Sequence, residues 1–337
     1  MKKLFLLIVA ISLATMSFAQ SSLLATLNHE GKISTFYGAQ AWKNAHEAAV
    51  NGDVITLSSG NFVSVDITKA ITVRGAGMGI DSTAVSEPTI ISGDFIINIE
   101  NADSCRLIME GIYSNHMIRY TNVVNPLFLK CRLKTVSDYG RPVLKDASFI
   151  HCRIAERFNL SANCSASCVN SVIQDPYSFS STTSNFEFIN CVIAFNRTSV
   201  CNIASSSFKN CIIRGSGSSY NDYIQSSCTA YNCVGLGYTS MFKYVTNATN
   251  KIVSDYASLF KTYTGANLDL LDSENFQLTD AAKSQYLGAD GTEVGIYGGN
   301  LPFDSTPSNP QITKCNVAAK STADGKLSVD IEVNAAK

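Results

Sequence analysis

The chain has 337 residues, 26 Lys and Arg against 27 Asp and Glu, and a net charge of -1, with only 16% of residues charged. So sparse and even a balance makes no demand for nucleic acid or an anionic membrane surface as partner. After the first twenty residues no apolar run approaches the roughly 18 residues a membrane-spanning helix needs, so no membrane insertion is expected.

Residues 1–19 open with Met-Lys-Lys, continue with an apolar run from Leu4 to Leu13 and end Ser17-Phe18-Ala19. A basic start, a short apolar run and small residues before a cut are the signature of a Sec export signal. The expected mature chain begins at Gln20 and is periplasmic, cell-surface or secreted. Gln20 is not Cys, so no lipid anchor is signalled.

Residues 20–53 read as an N-terminal strand and a capping helix. The strand lies near Leu23 to Leu27. Between Gly38 and Val50, Ala41, Trp42, Ala45, Ala48 and Ala49 share one helical face, as a short amphipathic helix over the open end of a β-stack requires. His46 and Glu47 are adjacent, point to different sides, and read as solvated. Residues 54–300 form the body of the chain. Its first strands are expected at Val54–Leu57, Ile71–Val73, Thr89–Ile91 and Leu107–Met109, punctuated by Gly75, Gly93 and Gly111 in one continuing register. Gly75-Ala76-Gly77-Met78-Gly79 has the glycines of a nucleotide loop, but no suitable helix follows, so it reads as a turn.

In the middle third one phrase returns about every twenty residues. It is Phe128-Leu-Lys-Cys131-Arg-Leu133, Phe149-Ile-His-Cys152-Arg-Ile154, Phe188-Ile-Asn-Cys191-Val-Ile193 and Phe208-Lys-Asn-Cys211-Ile-Ile213. Weaker copies are Cys168-Val-Asn-Ser171-Val-Ile173 and Tyr231-Asn-Cys233-Val234. Positions 131, 152, 171, 191, 211 and 233 differ by 21, 19, 20, 20 and 22, a solenoid period. The units are too short in apolar positions for helices, so they are strands. Alternation points the Cys and the residue two after it inward. The Phe three before it also faces inward if the intervening residue turns a corner, and Asn170, Asn190, Asn210, Asn232 and His151 suit a left-handed corner; Lys130 suits it less well. Ladders of Phe, Cys and Ile then stack about 4.8 Å apart in a right-handed parallel β-helix.

Eleven Cys in an exported chain ordinarily suggest disulfides. Five of them, Cys131, Cys152, Cys191, Cys211 and Cys233, hold one inward position, which favours free thiols acting as small hydrophobes. Pairing among Cys105, Cys164, Cys168, Cys201, Cys228 and Cys315 is left open by the sequence. Outside the ladder, the positions just after each Cys run Arg132, Arg153, Val172, Val192, Ile212 and Val234. An outward apolar stripe of this kind needs a cover, either a later segment of the same chain or a partner chain.

Residues 301–310, with Pro302, Pro307 and Pro310, read as an extended linker. Residues 311–337 read as a β-hairpin: Ile312 to Ala318 is one arm, Asp324-Gly325 marks the turn, and Leu327, Val329, Ile331 and Val333 alternate with polar residues in the other arm. An isolated hairpin is marginal, so it is expected to dock on the stack or on a partner chain.

The Phe-x-Asn-Cys-x-Ile coils resemble those of the pectate-lyase-like β-helix superfamily. The flanking stretches Ala48–Leu57, Ile67–Gly77 and Leu287–Gly299 resemble those of secreted β-helix proteins of Gram-negative gut bacteria. The resemblance implies a β-helix over nearly all of the mature chain, with a terminal coil at Asn275–Leu278 and Val294–Gly299.

Enzymes of that superfamily hold calcium with acidic residues beside an Arg or Lys base, or use paired carboxylates. Here the acids between residues 119 and 240, namely Asp138, Asp146, Glu156, Asp175, Glu187 and Asp222, share no repeat position in neighbouring coils. The hydrolase signatures Asn-Thr-Asp and Gly-His-Gly are absent. No metal spacing is visible, so no cofactor is expected, calcium entering only under a lyase reading. The cationic set Arg132, Arg153 and Lys134, with His151 at a corner, is the candidate ligand site, for a uronate or sulfate, although pairing of the arginines with Asp138, Asp146 or Glu156 is the simpler account. Tyr113, Tyr120, Tyr139 and Tyr177 are candidate stacking faces. The sequence thus points to a non-catalytic, adhesin-like or glycan-binding β-helix protein, with a lyase or hydrolase of acidic polysaccharides as the alternative.

Overall fold

The twenty-residue phrase closes into a right-handed parallel β-solenoid of about eight turns. The structure is a computed structural model that describes residues 23–79, 87–161, 163–178, 185–195, 203, 205–215, 224–236, 240–245, 247–254, 257–262, 274–322 and 324–334. The expected export segment and Cys201 lie outside the described residues. Among the described residues no helix is long and apolar enough to cross a membrane.

Each phrase crosses from one sheet to the other. In the first sheet Leu127–Leu129, Ala147–Ile150, Ser165–Val169, Asn185–Ile189, Ser207–Lys209 and Thr229–Tyr231 pair in order, all parallel. The second sheet runs alongside through Arg132–Lys145, Arg153–Leu160, Val172–Gln174, Val192–Ala194, Ile212–Arg214 and Val234–Leu236. Between them sits one residue with positive φ: Lys130 (51°), His151 (52°), Asn170 (44°), Asn190 (51°), Asn210 (56°) and Asn232 (53°). Lys130, which lacks the Asn preference for this region, turns the same corner.

The corner aims both Phe and Cys inward. Phe128 and Phe149 stack at 4.7 Å with an interplanar angle of 2°, and Phe188 and Phe208 at 5.1 Å and 15°. Cys168 fills the Phe position in the third copy, between Phe149 and Phe188. The ladder thiols are buried and the ten described cysteines are all free. Four of the five ladder thiols face a carbonyl of the preceding coil: Cys131 Sγ lies 3.3 Å from Met109 O, Cys152 Sγ 3.2 Å from Phe128 O, Cys191 Sγ 3.2 Å from Cys168 O and Cys211 Sγ 3.4 Å from Phe188 O. Ser171 makes the same contact with Phe149 O at 3.2 Å. Burial pushes the thiols of Cys152, Cys168, Cys211 and Cys233 well above their ordinary pKa, which keeps them protonated and inert.

The N-terminal end departs from expectation in three ways. Leu24–His29 and Lys32–Tyr37 form an antiparallel hairpin whose first arm pairs antiparallel with Val54–Leu57, so the first sheet starts with two added strands rather than one. The helix spans Ala41–Ala48 and buries Ala41, Trp42, Ala45 and His46, while Ala48 is exposed. His46 is therefore not solvated: four residues after Trp42, it falls on the buried stripe, its ring edge-on to the indole at 5.6 Å. Lastly, Thr89–Ser92 belongs to the second sheet, pairing with Gly60–Val63, and Gly93 is a turn within that sheet. The second coil thus runs from Thr72 to about Leu107, since Thr72, the partner of Val54, pairs on its other side with Ile108. The glycine turn is supported: a Cβ on Gly75 would lie 2.4 Å from Gly111 O.

Two outcomes follow for stability. Cys211→Ala is expected to lose about 1–2 kcal/mol in urea unfolding, through lost volume and an unmet carbonyl, and Cys211→Ser less, as Ser171 already fills this position. His46, held down to about 4 chiefly by burial, then by Lys69, binds its proton at higher pH in the unfolded chain. Stability from this group is complete above pH ~6.5 and falls as pH drops toward about 4, by about 1–2 kcal/mol, and His46→Gln is expected to flatten that part of the urea midpoint profile.

Candidate functional site

One outward stripe runs the length of the second sheet. In register it reads Asn61, Ile90, Tyr113, Arg132, Arg153, Val172, Val192, Ile212, Val234 and Lys251. Its apolar half is buried under the chain's own later segment. Leu259, Phe260, Phe276, Leu278, Ala282, Val294 and Ile296 pack with Val172, Val192, Ile212 and Val234 into a second core outside the solenoid. A short helix, Asp280–Gln285, lies in this cover, capped by Thr279 Oγ1, which accepts from Ala282 N at 3.2 Å. Asn275–Leu278 and Val294–Gly299 are consequently not a terminal coil. They lie across the outer face, where they remove Val172, Val192 and Ile212 from water. This covered stripe is not a face open to a partner chain.

From the cover the chain runs back along the corners as a strap, opposite to the direction in which the coils advance. Gly295 N donates to Asn210 O at 2.9 Å and Ala289 N to Asn210 Oδ1 at 3.2 Å. Asn170 Nδ2 donates to Ile296 O at 2.8 Å and Gly298 O at 2.7 Å. His151 Nε2 donates to Leu301 O at 2.9 Å. Lys130 Nζ reaches Asp304 Oδ2 at 2.7 Å and Thr306 O at 2.6 Å. Ser308 N donates to Glu110 Oε1 at 3.0 Å and Asn309 Nδ2 to Gly75 O at 3.0 Å. The expected linker is therefore docked along its length. At Gly299, with φ of 76°, a Cβ would meet Asn190 Nδ2 at 2.1 Å, so only glycine passes that corner.

The four candidate residues divide into two groups. His151 is buried beneath the strap, its ring 5.9 Å from that of Phe303, and burial lowers its pKa against the opposing Leu301 bond. Arg153 is 2% exposed and lies under the cover with its guanidinium 5.7 Å from the Phe276 ring. Neither faces solvent. Arg132 and Lys134 do: Arg132 lies over the Tyr113 ring at 4.2 Å, and Lys134 Nζ is 3.4 Å from Glu156 Oε1. The stripe thus has a boundary. On the Arg153 side it is roofed, and on the Arg132 and Tyr113 side it is half-open.

Two of the acids weighed against the arginines accept hydrogen bonds from hydroxyls. Asp138 accepts from Ser161 Oγ at 2.5 Å and Ser137 Oγ at 3.3 Å, and Asp146 from Ser165 Oγ at 3.3 Å. Tyr120 is no stacking face: it is buried, its hydroxyl donates to Asn159 O at 2.8 Å, and burial pushes its pKa up. Among the described residues no group of three or more His, Cys, Asp or Glu converges as metal ligands. Sequence reading missed that Tyr113 partners Arg132; the signal was available, since both occupy the position after the corner turn in successive coils. The chain matches no protein-family profile, no curated protein and no solved structure.

The strap yields a test. Asn170→Ala removes two hydrogen bonds and places a Cβ-bearing residue without Asn's preference at φ 44°, whereas Asn170→Gly removes the bonds alone. Amide exchange of residues 296–304 is expected to accelerate at least tenfold in both, with the Ala variant about 1 kcal/mol less stable than the Gly variant.

Proposed function

We propose that this is an exported, non-catalytic glycan-binding protein of the pectate-lyase-like β-helix kind, which engages an anionic sugar on the outer face of its second sheet. The observation that carries the reading is the Arg132 guanidinium over the Tyr113 ring at 4.2 Å, at the edge of the cover. A planar cation backed by an aromatic presents in-plane donors to a carboxylate or sulfate, while the ring edge and Ile90 offer an apolar surface to a sugar face. Lys134 on the same strand and Arg157 on the next turn add positive charge, offset in part by Glu156. A sheet face held rigid by stacked coils offers a long chain a line of contacts through Asn61, Ile90, Tyr113 and Arg132 rather than one deep pocket. The resemblance of the coils to those of pectate-lyase-like proteins also supports a polysaccharide as the partner.

The experiment incubates the protein with a panel of uronate, sulfated and neutral polysaccharides, with and without calcium, and measures both chain length and retention on immobilised protein. Retention of an acidic glycan without shortening is expected, independent of calcium and weakened at least tenfold by Arg132→Ala or Tyr113→Ala. Shortening of any substrate replaces this reading with a lyase or hydrolase. Equal retention by both variants places the ligand elsewhere.

A further inference from the structure

His151 turns one of the central corners at φ 52° and is 7% exposed beneath the strap. Leu301 O accepts from Nε2 at 2.9 Å, so in the neutral ring Nε2 carries the proton and Nδ1 the lone pair. Nδ1 is sealed from water and has no hydrogen-bond partner among the described residues. The corner before it holds a second basic group, the buried Lys130, whose ammonium is taken by Asp304 Oδ2 at 2.7 Å and Thr306 O at 2.6 Å. The corner after it is the uncharged Asn170. Arg153, two residues on, lies under the cover against Phe276.

We infer that His151 is the latch of a pH-sensitive strap, and that a proton taken up at Nδ1 releases residues 301–306 from the corners of the solenoid. The neutral ring fits its site: its one donor meets the Leu301 carbonyl and its face packs near Phe303. The imidazolium would stand beside the Lys130 ammonium with one strap carboxylate, Asp304, to serve both cations, in a site closed to water. Asp304 and the Leu301 and Asp304 carbonyls favour the charged ring, but burial, reinforced by Lys130, outweighs them and holds the His151 pKa below its ordinary value. Opening admits water to Nδ1 and restores that value, so the open strap binds the proton more tightly. The closed strap therefore has its full advantage above pH ~6.5 and loses it as pH falls toward the lowered pKa.

The opening is local, because both ends of the segment are anchored by groups that do not titrate with it. Asn170 holds Ile296 O and Gly298 O on one side, and Asn309 holds Gly75 O on the other. Between these anchors Leu301 and Pro302 are exposed and Phe303 is only half-buried, so little hydrophobic burial holds the segment down. The polar contacts at His151 and Lys130 decide whether it stays docked. Corners 170, 190, 210 and 232 carry Asn, which has no proton to gain, so the response is confined to this part of the strap.

The test is hydrogen exchange of the full chain at pH ~5.5 and ~7.5, read by NMR at the Phe303 amide, which donates to Ile296 O at 2.7 Å, and expressed as protection relative to the unstructured rate at each pH. Protection is expected to be several-fold lower at the acidic pH, within the limit of about tenfold that one histidine of ordinary pKa allows in the open state. His151→Asn, which places at this corner the residue that four other corners carry, is expected to fold and to remove the difference. His46→Gln is expected to keep it, which separates strap opening from the acid loss of global stability. Equal protection of the wild type at both pH values, or the same difference in His151→Asn, overturns the latch. Loss of the difference in His46→Gln assigns the exchange to global unfolding and overturns it equally.

Discussion

A left-handed residue at one corner of each central coil is the constraint from which the remaining architecture follows. Because the chain turns there on a single residue, the side chain two positions before the corner and the one immediately after it both point inward. Phe and Cys can therefore share the core although they are an odd number of positions apart. The side chain at the corner itself points out and sideways, so successive corners form a row: Lys130, His151, Asn170, Asn190 and Asn210. That row is the track on which the strap is laid. The residue best suited to the backbone turn, Asn, is also a small double-ended hydrogen-bonding group, and at Asn170 both properties are used. Where the strap needs a longer reach to Asp304 and Thr306, Lys130 occupies the corner despite the less favourable backbone.

The cysteine ladder has a polar side that hydrophobicity alone does not express. At the corner the strand ladder is interrupted, and carbonyls of the preceding coil point toward the core. A thiol is small enough to fill the space and is a weak donor, so it meets those carbonyls without the desolvation cost of a stronger polar group. Ser171 shows that a hydroxyl is tolerated where it also accepts a bond, here from Cys152 N at 2.9 Å. The raised thiol pKa values of Cys152, Cys211 and Cys233 follow from the same burial, which keeps them protonated.

The outward stripe divides the molecule functionally. Over Val172, Val192, Ile212 and Val234 the chain builds a second core, and the arginine at its margin, Arg153, is taken into that roof against Phe276. One coil earlier the same position is Arg132, and its aromatic neighbour Tyr113 belongs to the solenoid rather than to the cover. Two residues that look equivalent in the repeat thus have different surroundings. The difference comes from how far the cover extends, which the repeat itself does not encode.

The period, the corner residues, the inward ladders, the free thiols, the C-terminal hairpin and the need for a cover were all legible in the sequence, because each is a local rule repeated at fixed spacing. Alternation and φ preferences act within a few residues, and a repeat amplifies them. The tertiary structure decided what depends on contacts between distant segments: that Leu259, Phe260 and residues 276–296 supply the cover, that 301–310 is a docked strap, that His46, His151 and Arg153 are buried, and that the coil from Thr72 to about Leu107 is longer than the others. Burial of a polar side chain depends on which remote segment lies over it. For His151 and Arg153 that segment is about 120–150 residues away in the chain, a separation over which no pattern of local spacing carries information.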